Sequence, residues 1–376
     1  MQPILDIEKL EVNFYTYEGV VQAIDEISFT LEDGDTLGVV GETGCGKSVT
    51  VLSILKLILP PGRIESGKIL YNTAGSSYDL VQKSEEFMRE LRGNDVSMIF
   101  QEAGNALNPV LTIGEQVSES FLLHRQGELC ESVLKNIDEK MEVSGSAPFI
   151  QLARRRYGRK LNKARGNLLR DRRYGCLLRR EAVRWSVDLL RSLGIPNPEQ
   201  VVKRYPHELS GGMQQRVVIS MALACNPAVL IADEPTSNLD VTIQAQILRL
   251  IEDLKERYHS SILFITHDLG VVSEIADKVI VLYAGTLVEF SKVRELFKKP
   301  LHPYTKALLH SVPRLGSRER LESIRGNVPN LIDPPSGCRF HPRCPYVMDI
   351  CRERKPQLYR GPGGDEHHLV ACFLYR

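Results

Sequence analysis

The sequence lacks any apolar run long enough to cross a membrane. A membrane-spanning helix needs about 20 consecutive apolar residues. The longest run of this kind, from Val49 to Pro61, is interrupted by Lys56 and ends at a pair of prolines. No membrane span is therefore expected. At 376 residues the chain can form one large α/β domain with appendages, or two domains.

The beginning of the chain also lacks the pattern of a secretory signal. The first residues, MQPILDIEKLEV, contain no basic segment followed by an apolar one. We therefore expect the chain to reside in the cytosol, where thiols stay reduced and structural disulfides are rare.

The chain has almost no net charge, but its charges are unevenly distributed. The formal net charge is +1. Between Arg154 and Arg184, thirteen Lys or Arg stand against Asp171 and Glu181, so this segment carries +11 and the remainder −10. Beyond this segment we find no low-complexity tract, and we find no internal repeat.

The apolar patterns predict an α/β fold. Residues 4–16 and 23–35 alternate apolar and polar side chains around a Gly-containing turn, which predicts an antiparallel hairpin. TLGVV, residues 36–40, is a short buried strand, followed by a glycine-rich loop and a helix over 48–59. AVLIADE (228–234) and SILFITHD (261–268) are two further buried strands.

Helices are predicted between these strands. Residues 238–258 place Ile243, Ile247, Leu250, Ile251 and Leu254 on one helical face. Strands that alternate with helices imply a largely parallel sheet. From about 101 to 224 the sequence shows no comparable strand, so we assign this region to a helical subdomain.

The glycine-rich loop carries the first chemical motif. GETGCGKS, residues 41–48, fits G-x-x-x-x-G-K-[ST] and stands between a predicted strand and a predicted helix, the context that this motif requires. Its backbone N–H groups and the helix N-terminus offer positive potential to a triphosphate. Lys47 should reach the β and γ phosphates, and Ser48 should ligate Mg²⁺. The predicted ATP-binding residues of this segment are Gly41, Glu42, Thr43, Gly44, Cys45, Gly46, Lys47, Ser48 and Val49.

Two acids follow the strand at 228–232. Asp233 would hold the magnesium shell, and Glu234 is positioned to orient or deprotonate the attacking water. Phosphoryl transfer depends mainly on such positioning and charge-neutralising groups. The alternative is a helix-capping role for the two acids.

A second anion site is predicted at ELSGGMQQRV, residues 208–217. Ser210, Gly211 and Gly212 open an apparent helix, and their small size allows close approach to phosphate oxygens. Because the chain already has a phosphate loop, we expect this second site to contact a nucleotide that is bound by another subunit.

With these motifs the sequence resembles the ATP-binding cassette (ABC) family of P-loop ATPases. The resemblance covers residues 1 to about 290 apart from one segment. It rests on GETGCGKS, Gln101 in IFQE, LSGGMQQR, DEPTSNLD and His267 in ITHD. The fold that it implies is a parallel-sheet core with an antiparallel β subdomain and a helical subdomain.

The family also implies roles for residues. In a head-to-tail dimer, Ser210, Gly211 and Gly212 of one subunit would cover ATP held by the other. Gln101 would approach Mg²⁺ and the attacking water, and Asp240 would connect the two sites. His267 would contact the γ phosphate. An aromatic residue should stack on adenine; Tyr17 is favoured, with Tyr15 as the alternative.

One branch of the family is indicated by Met213 and by the end of the chain. The broad family more often has Gln at position 213, whereas Met resembles the ATPases of peptide and nickel importers. LHPYTKALLHSVPRL (301–315) and GNVPNLIDPPSGCRFHPRCPYVMDIC (326–351) are similar to that branch's C-terminal extension. We therefore expect an ABC ATP-binding domain over 1–290 and a small, loop-rich extension over 291–376.

The extension contains Cys338, Cys344, Cys351 and Cys372, with five, six and twenty residues between them. A cytosolic location argues against disulfides, and the close pairs typical of zinc sites are lacking. Four thiolates satisfy a [4Fe–4S] cluster, and the resemblance implies the same cluster. Zinc and unliganded thiols are the alternatives.

The basic segment lies within an apparent insertion at about 130–178, on which the resemblance is silent. We favour a solvated, partly disordered helical insert. The alternatives are contact with anionic lipid or an acidic partner, and nucleic-acid binding.

The predicted function is that of an energy-coupling ATPase at the cytoplasmic face of the membrane. Its partners would be an identical or paralogous ATPase, two integral membrane permeases and, indirectly, an extracytoplasmic binding protein; nucleic acid is not an expected partner. Peptides are the expected solute, with nickel and oligosaccharides as alternatives. A soluble ABC ATPase of repair or translation is the alternative from another class.

Overall fold

The computed structural model describes residues 2–144, 172–237, 239–311, 324, 326–362 and 368–376. Residues 145–171, which hold most of the basic segment, lie outside the described residues. Within the described residues, no helix has both the length and the apolar character needed to cross a membrane.

The strands of the described residues include the five that the apolar patterns predict. They are β1 (Leu5–Thr16), β2 (Gly19–Leu31), β3 (Thr36–Val40), β4 (Gly62–Thr73), β5 (Ser76–Asp79), β6 (Val96–Ile99), β7 (Val229–Asp233), β8 (Ser261–Ile265), β9 (Lys278–Tyr283), β10 (Thr286–Lys292), β11 (Tyr359–Arg360) and β12 (Leu369–Val370).

Helices lie between many of these strands, and several consecutive helices lie between β6 and β7. They are α1 (Lys47–Ile54), α2 (Glu85–Leu91), α3 (Ala103–Ala106), α4 (Ile113–His124), α5 (Gln126–Ser144), α6 (Arg172–Ser192), α7 (Pro198–Val201), α8 (Gly211–Leu223), α9 (Val241–Tyr258), α10 (Leu269–Ile275), α11 (Val293–Lys298), α12 (Pro303–His310) and α13 (Asp349–Glu353), with 3₁₀ turns at Pro206–Glu208, His341–Arg343 and Phe373–Tyr375.

The described chain forms two compact units. The first consists of Met1–Arg92, Ala228–Glu234 and Ile251–Arg376, and the second of Gly93–Pro227 and Pro235–Leu250. Strand β3 and the phosphate loop that follows it belong to the first unit. The second is built mainly from α3 to α8, with Phe121 of α4 packed edge-on against Trp185 of α6 at 5.5 Å between ring centroids.

The first unit contains an antiparallel sheet and a largely parallel one. The predicted hairpin is confirmed, because β1 pairs with β2 in an antiparallel sheet of order β2-β1-β4-β5. In the other sheet the strands of this unit run in the order β11-β12-β10-β9-β3-β8-β7. β3 is parallel to β8 and β9, and β7 is parallel to β8. Every residue of β3, β7 and β8 is buried, as expected for central parallel strands.

Helix α1 is shorter than the sequence predicts, because it ends at Ile54 rather than continuing to residue 59. Lys56 adopts a left-handed backbone with φ of 52°. The Leu57 N–H donates to the Leu52 carbonyl and the Lys56 N–H to the Ser53 carbonyl. These two bonds form a Schellman motif, which satisfies the last carbonyls and stops the helix despite the apolar residues that follow.

The C-terminal extension adds a strand to the main sheet. β12 pairs with β10, so that Glu289 lies opposite Val370 and Phe290 opposite Leu369. Val370 is fully buried beside Leu301. A two-residue strand has too little pattern to be recognised in a sequence, and this pairing was not predicted.

A buried polar cluster lies where the extension meets β10. Glu289 is fully buried and accepts hydrogen bonds from the backbone N–H groups of Leu301 and His302, both at 2.8 Å. His368 Nε2 lies 2.8 Å from the same carboxylate. His302 caps α12, since its Nδ1 accepts a bond of 3.1 Å from the Tyr304 N–H.

His302 should make the stability of the fold depend on pH. Burial lowers its pKa from the ordinary 6.5 to about 4, even though nearby Glu289 favours the charged form and Lys306 opposes it. The unfolded chain therefore binds a proton that the folded chain does not, and this stability is complete above pH 6.5 and falls as the pH drops towards 4. Between pH 7 and pH 5 the loss in the free energy of unfolding should be about 2 kcal/mol.

Urea unfolding followed by circular dichroism tests this expectation in the wild type and in His302→Asn. Asn retains an acceptor for the Tyr304 N–H but does not titrate. The variant should lose about 2 kcal/mol less than the wild type between the two pH values. Equal losses would show that His302 does not carry the effect.

Candidate functional site

The phosphate loop follows β3 in the first unit and leads into α1. Its glycines adopt conformations that other residues rarely take, with φ of 156° at Gly41, 83° at Gly44 and 102° at Gly46. A Cβ added to Gly41 would lie 2.2 Å from the Leu282 carbonyl oxygen, so the loop passes too close to β9 for any side chain there.

Lys47 lies at the first position of α1, and its side chain folds back over the loop. Its Nζ donates to the carbonyl oxygens of Gly41 at 2.7 Å and Glu42 at 3.2 Å. The residue is only 7% exposed. The ammonium is therefore held above the loop, at the N-terminus of a helix, where the backbone also favours anions.

Asp233 ends β7 and is 5% exposed. Burial raises the pKa of its carboxyl group, although a hydrogen bond with the Ser48 side chain and the charge of Lys47 act in the opposite direction. Among the described residues, its Oδ1 has no hydrogen-bond partner. A buried carboxylate oxygen without a partner, beside a serine hydroxyl, fits the oxygen ligands that Mg²⁺ prefers.

Glu234 and His267 form a pair at the ends of adjacent strands. Glu234 follows β7 and has a left-handed backbone with φ of 46°. Its N–H donates to the Ile265 carbonyl at 2.9 Å, and its Oε1 lies 3.0 Å from Nδ1 of His267. The Glu234 side chain is 15% exposed and that of His267 is 64% exposed, so the pair is accessible from solvent.

These residues meet because β3, β7 and β8 are parallel and end at one edge of the sheet. Ligands of open α/β sheets bind outside the carboxyl ends of the strands. The phosphate loop, the two acids and His267 lie at the carboxyl ends of these three strands.

Gln101 and the predicted second anion site lie in the second unit. Gln101 follows β6, and its carbonyl accepts a bond of 2.9 Å from the Ser237 hydroxyl. Ser210 is the N-cap of α8 but makes no side-chain capping bond. Ser210 and Gly211 are exposed, while Gly212 packs close to Ile243 of α9.

Asp240 has a clear local role in the same unit. Its Oδ1 accepts hydrogen bonds from the N–H groups of Thr242 at 3.1 Å and Ile243 at 3.0 Å, at the start of α9. Asp240 therefore satisfies two backbone N–H groups in the first turn of α9.

The two aromatic candidates for adenine differ in their surroundings. Tyr17 is 98% exposed in the turn between β1 and β2. The Tyr15 hydroxyl donates to Glu65 Oε1 at 2.9 Å, and the guanidinium of Arg63 lies 5.5 Å from the centre of its ring.

The four cysteines of the extension line one cavity together with His302, Phe340 and His341. Cys351 and Cys372 are buried, and the Cys338 N–H donates to the Cys351 carbonyl at 2.8 Å. Burial, with a further contribution from the other three thiols, raises the pKa of Cys338 to about 12. No disulfide joins them.

The cavity is not a preformed metal site. Among the residues that the structure describes, which include all four cysteines, no three His, Cys, Asp or Glu side chains are grouped closely enough to hold a metal ion. The four thiols line one cavity, but their spacing does not form a ligand shell.

Sequence reasoning missed the contacts between the extension and the phosphate loop. Arg343 forms an ion pair with Glu42, and Tyr304 accepts a hydrogen bond from the Glu42 N–H. The available signals were the His-Pro-Tyr element, which contains Tyr304, and an arginine immediately before Cys344.

Comparisons with known proteins agree with this geometry. Residues 24–237 match the ABC transporter family, and residues 288–351 match the oligopeptide/dipeptide transporter C-terminal region. A probable peptide ABC transporter ATP-binding protein of Sinorhizobium fredii is 42% identical over 98% of this chain and 94% of its own length. The oligopeptide transport ATP-binding protein AppD of Bacillus subtilis is 42% identical over 100% of this chain and 98% of its own length.

Solved structures show the same fold. An ATP-binding cassette in a dimeric post-hydrolysis state with ADP and phosphate superposes with a TM-score of 0.56 at 20% identity, covering 77% of this chain and 99% of its own. A component of an ABC transporter complex from Clostridium perfringens gives a TM-score of 0.53 at 23% identity, covering 80% and 92%. This chain belongs to the ABC transporter family of ATPases, and it carries the family's oligopeptide/dipeptide transporter C-terminal region.

Proposed function

We propose that this chain hydrolyses ATP to drive the uptake of peptides through partner membrane subunits. The observation that carries the assignment is the match of residues 288–351 to the oligopeptide/dipeptide transporter C-terminal region, beside a complete set of nucleotide motifs. Similar proteins are named peptide, oligopeptide and dipeptide transport ATP-binding proteins. We divide the chain accordingly into an ATP-binding domain over 1–290 and an extension over 291–376.

The phosphate loop is proposed to bind the triphosphate. The loop from Gly41 to Val49 would present backbone N–H groups to the β phosphate, and Lys47 would exchange its contact with the Gly41 carbonyl for phosphate oxygens. Ser48, Asp233 and Gln101 would hold Mg²⁺. The metal, when bound, neutralises charge on the β and γ phosphate oxygens.

Glu234 is proposed as the residue that orients or deprotonates the attacking water. Its side chain is fixed by His267 at 3.0 Å and by its own strained backbone at the end of β7. His267 would contact the γ phosphate, since its side chain is 64% exposed at the end of β8. Together they place a proton acceptor and a hydrogen-bond donor at the same edge of the sheet.

The second phosphate site is proposed to act in a dimer with an identical or paralogous ATPase. Ser210 stands at the N-terminus of a 13-residue helix, exposed, and its hydroxyl is not used in capping. Ser210, Gly211 and Gly212 would cover the γ phosphate of ATP held by the partner subunit. Asp240 would connect the two ATP sites of the dimer, since its side chain holds the start of α9 in place.

Tyr17 is the proposed adenine platform. Its ring is exposed in the hairpin turn, whereas the Tyr15 hydroxyl is tied to Glu65. A free aromatic face is what stacking requires.

The proposed assembly has two ATPase subunits on two integral membrane permeases, at the cytoplasmic face of the membrane, fed by an extracytoplasmic binding protein. Reconstitution of the chain with its permeases and binding protein in proteoliposomes tests this. Di- to pentapeptides should stimulate ATP hydrolysis and accumulate inside, whereas Ni²⁺ and oligosaccharides should do neither. Stimulation by Ni²⁺ or by an oligosaccharide alone would replace the peptide assignment.

We further propose that Cys338, Cys344, Cys351 and Cys372 hold a [4Fe–4S] cluster, with zinc as the alternative. The support is that all four thiols line one cavity in a loop-rich part of the fold. The four side chains would have to move closer together to form a shell of thiolates, and the bound group would then link the loops of the extension.

Anaerobic purification followed by iron, acid-labile sulfide and zinc analysis tests the cluster. We expect about four irons and four sulfides per chain, and the loss of both in Cys344→Ser. Cys176→Ser is the matched control, because this exposed thiol belongs to α6 and lies outside the cavity. Zinc in place of iron, or no metal in the wild type, would contradict the proposal.

A further inference from the structure

The extension holds the phosphate loop at Glu42. This residue is the first variable position of the loop, directly after Gly41. Its N–H donates to the Tyr304 hydroxyl oxygen at 2.9 Å. Its carboxylate receives two bonds from Arg343, with Nη1 to Oε2 at 2.7 Å and Nη2 to Oε1 at 3.2 Å. Both the backbone and the side chain of Glu42 are therefore tied to residues more than 260 positions later in the chain.

The same residue touches the lysine of the loop. The Glu42 carbonyl accepts a bond of 3.2 Å from Lys47 Nζ, which also bonds the Gly41 carbonyl. Glu42 thus lies between the extension on one side and the phosphate-binding ammonium on the other. A shift in Glu42 would move a carbonyl that helps to place Lys47.

Tyr304 is rigidly placed for this contact. It is fully buried, and its ring centroid lies 4.7 Å from that of Tyr283 and 5.5 Å from that of Phe340. Burial raises the pKa of the Tyr304 phenol, so it stays neutral. Its position is set by the His-Pro-Tyr element, because His302 caps the helix that Tyr304 belongs to.

The side chain of Arg343 is also buried and held by several contacts. Its side chain is 5% exposed, and that of Glu42 is 25% exposed. It also donates to the Tyr283 hydroxyl at 3.3 Å and lies over the Tyr283 ring. Burial disfavours its charge, but the hydrogen bonds to Glu42 and Tyr283 raise the pKa of the guanidinium above its usual range. An arginine that donates two hydrogen bonds to one carboxylate holds that carboxylate in a defined geometry.

We infer that Arg343 and Tyr304 are positioning residues for ATP binding, which act by fixing Glu42 and thereby the conformation of the phosphate loop. Arg343 immediately precedes Cys344, and Phe340, which packs on Tyr304, also lines the cysteine cavity. The conformation of the loops around the cysteine cavity therefore affects the affinity of the phosphate loop for ATP. This inference rests on the proposed role of Gly41 to Val49 in binding ATP.

The experiment measures the Kd of a fluorescent ATP analogue and the KM and kcat of ATP hydrolysis in purified full-length variants. Arg343→Ala should raise the Kd and KM about 10- to 100-fold, with a much smaller change in kcat, because it leaves the Glu42 carboxylate without its partner. Tyr304→Phe removes only the acceptor oxygen from a packed ring and should raise both about three- to tenfold.

A double-mutant cycle separates positioning from simple attachment of the extension. Glu42→Gln and Arg343→Ala together should weaken nucleotide binding no more than Arg343→Ala alone. Lys355→Ala is the matched control, because Lys355 joins the extension to Asp25 at 2.8 Å and Glu26 at 3.4 Å without touching the loop. It should leave the Kd and KM within twofold of the wild type.

The outcomes are distinguishable. A Kd and KM within twofold of the wild type in Tyr304→Phe and Arg343→Ala would overturn the inference while leaving the proposed function in place. Equal weakening by Lys355→Ala would also overturn it, because attachment of the extension would then be the cause. A wild-type chain that binds no ATP would instead refute the proposed function.

Discussion

Replacing Glu234 by Gln should abolish ATP hydrolysis while ATP binding remains. The amide keeps the size of the side chain and can still contact His267, but it cannot accept a proton from water. General base catalysis contributes about 10²- to 10⁴-fold, so kcat should fall by at least about 100-fold. The Kd for ATP should stay within about threefold of the wild type, since Glu234 is not among the groups that bind phosphate.

Single-turnover hydrolysis and nucleotide binding, measured on the same preparation, check this prediction. His267→Ala is the companion variant, because His267 is the observed hydrogen-bond partner of Glu234 at 3.0 Å. It should also lower kcat without a matching rise in Kd. If Glu234→Gln retained more than about a tenth of the wild-type kcat, the role assigned to Glu234 would be wrong.

Replacing Lys47 by Ala should produce the opposite pattern, in which ATP binding itself is lost. The ammonium lies over the loop at 2.7 Å from the Gly41 carbonyl and is the positive side chain placed there to meet the phosphates. Charge-assisted contacts of this kind contribute several kcal/mol, so the Kd should rise by about 100-fold or more. Hydrolysis should then be undetectable at ATP concentrations that saturate the wild type.

Lys278→Ala is a matched control for Lys47→Ala. Lys278 begins β9 in the same sheet and pairs with Asp35 at 2.8 Å, near the amino end of β3 and away from the loop. It should bind ATP like the wild type. Isothermal titration with ATP and magnesium makes the comparison. Unchanged affinity in Lys47→Ala would exclude the proposed phosphate contact.

The sequence alone predicts the parts of this fold that follow from local pattern. Alternating side chains predict the β1–β2 hairpin, and apolar runs predict β3, β7 and β8. The shared edge of Lys47, Glu234 and His267 follows in turn, because parallel neighbouring strands end on one side of a sheet.

The other features of the fold depend on contacts between residues far apart in the chain, which no local sequence pattern predicts. Helix α1 stops at Ile54 because Lys56 adopts a left-handed conformation inside an apolar run. β12 is only two residues long and is defined by its pairing with β10. The contact of Arg343 with Glu42 joins residues 301 positions apart, and a single arginine among many gives no sign of such a partner.

The most direct test of the central claim is peptide uptake by cells whose own copy of the gene has been deleted and replaced by the wild type or by Glu234→Gln. Radiolabelled di- to pentapeptides should accumulate with the wild type and stay at the level of the deletion strain with Glu234→Gln, at equal amounts of protein. Equal uptake by the two strains, or no difference between the wild type and the deletion, would contradict the claim that hydrolysis at this site drives peptide import.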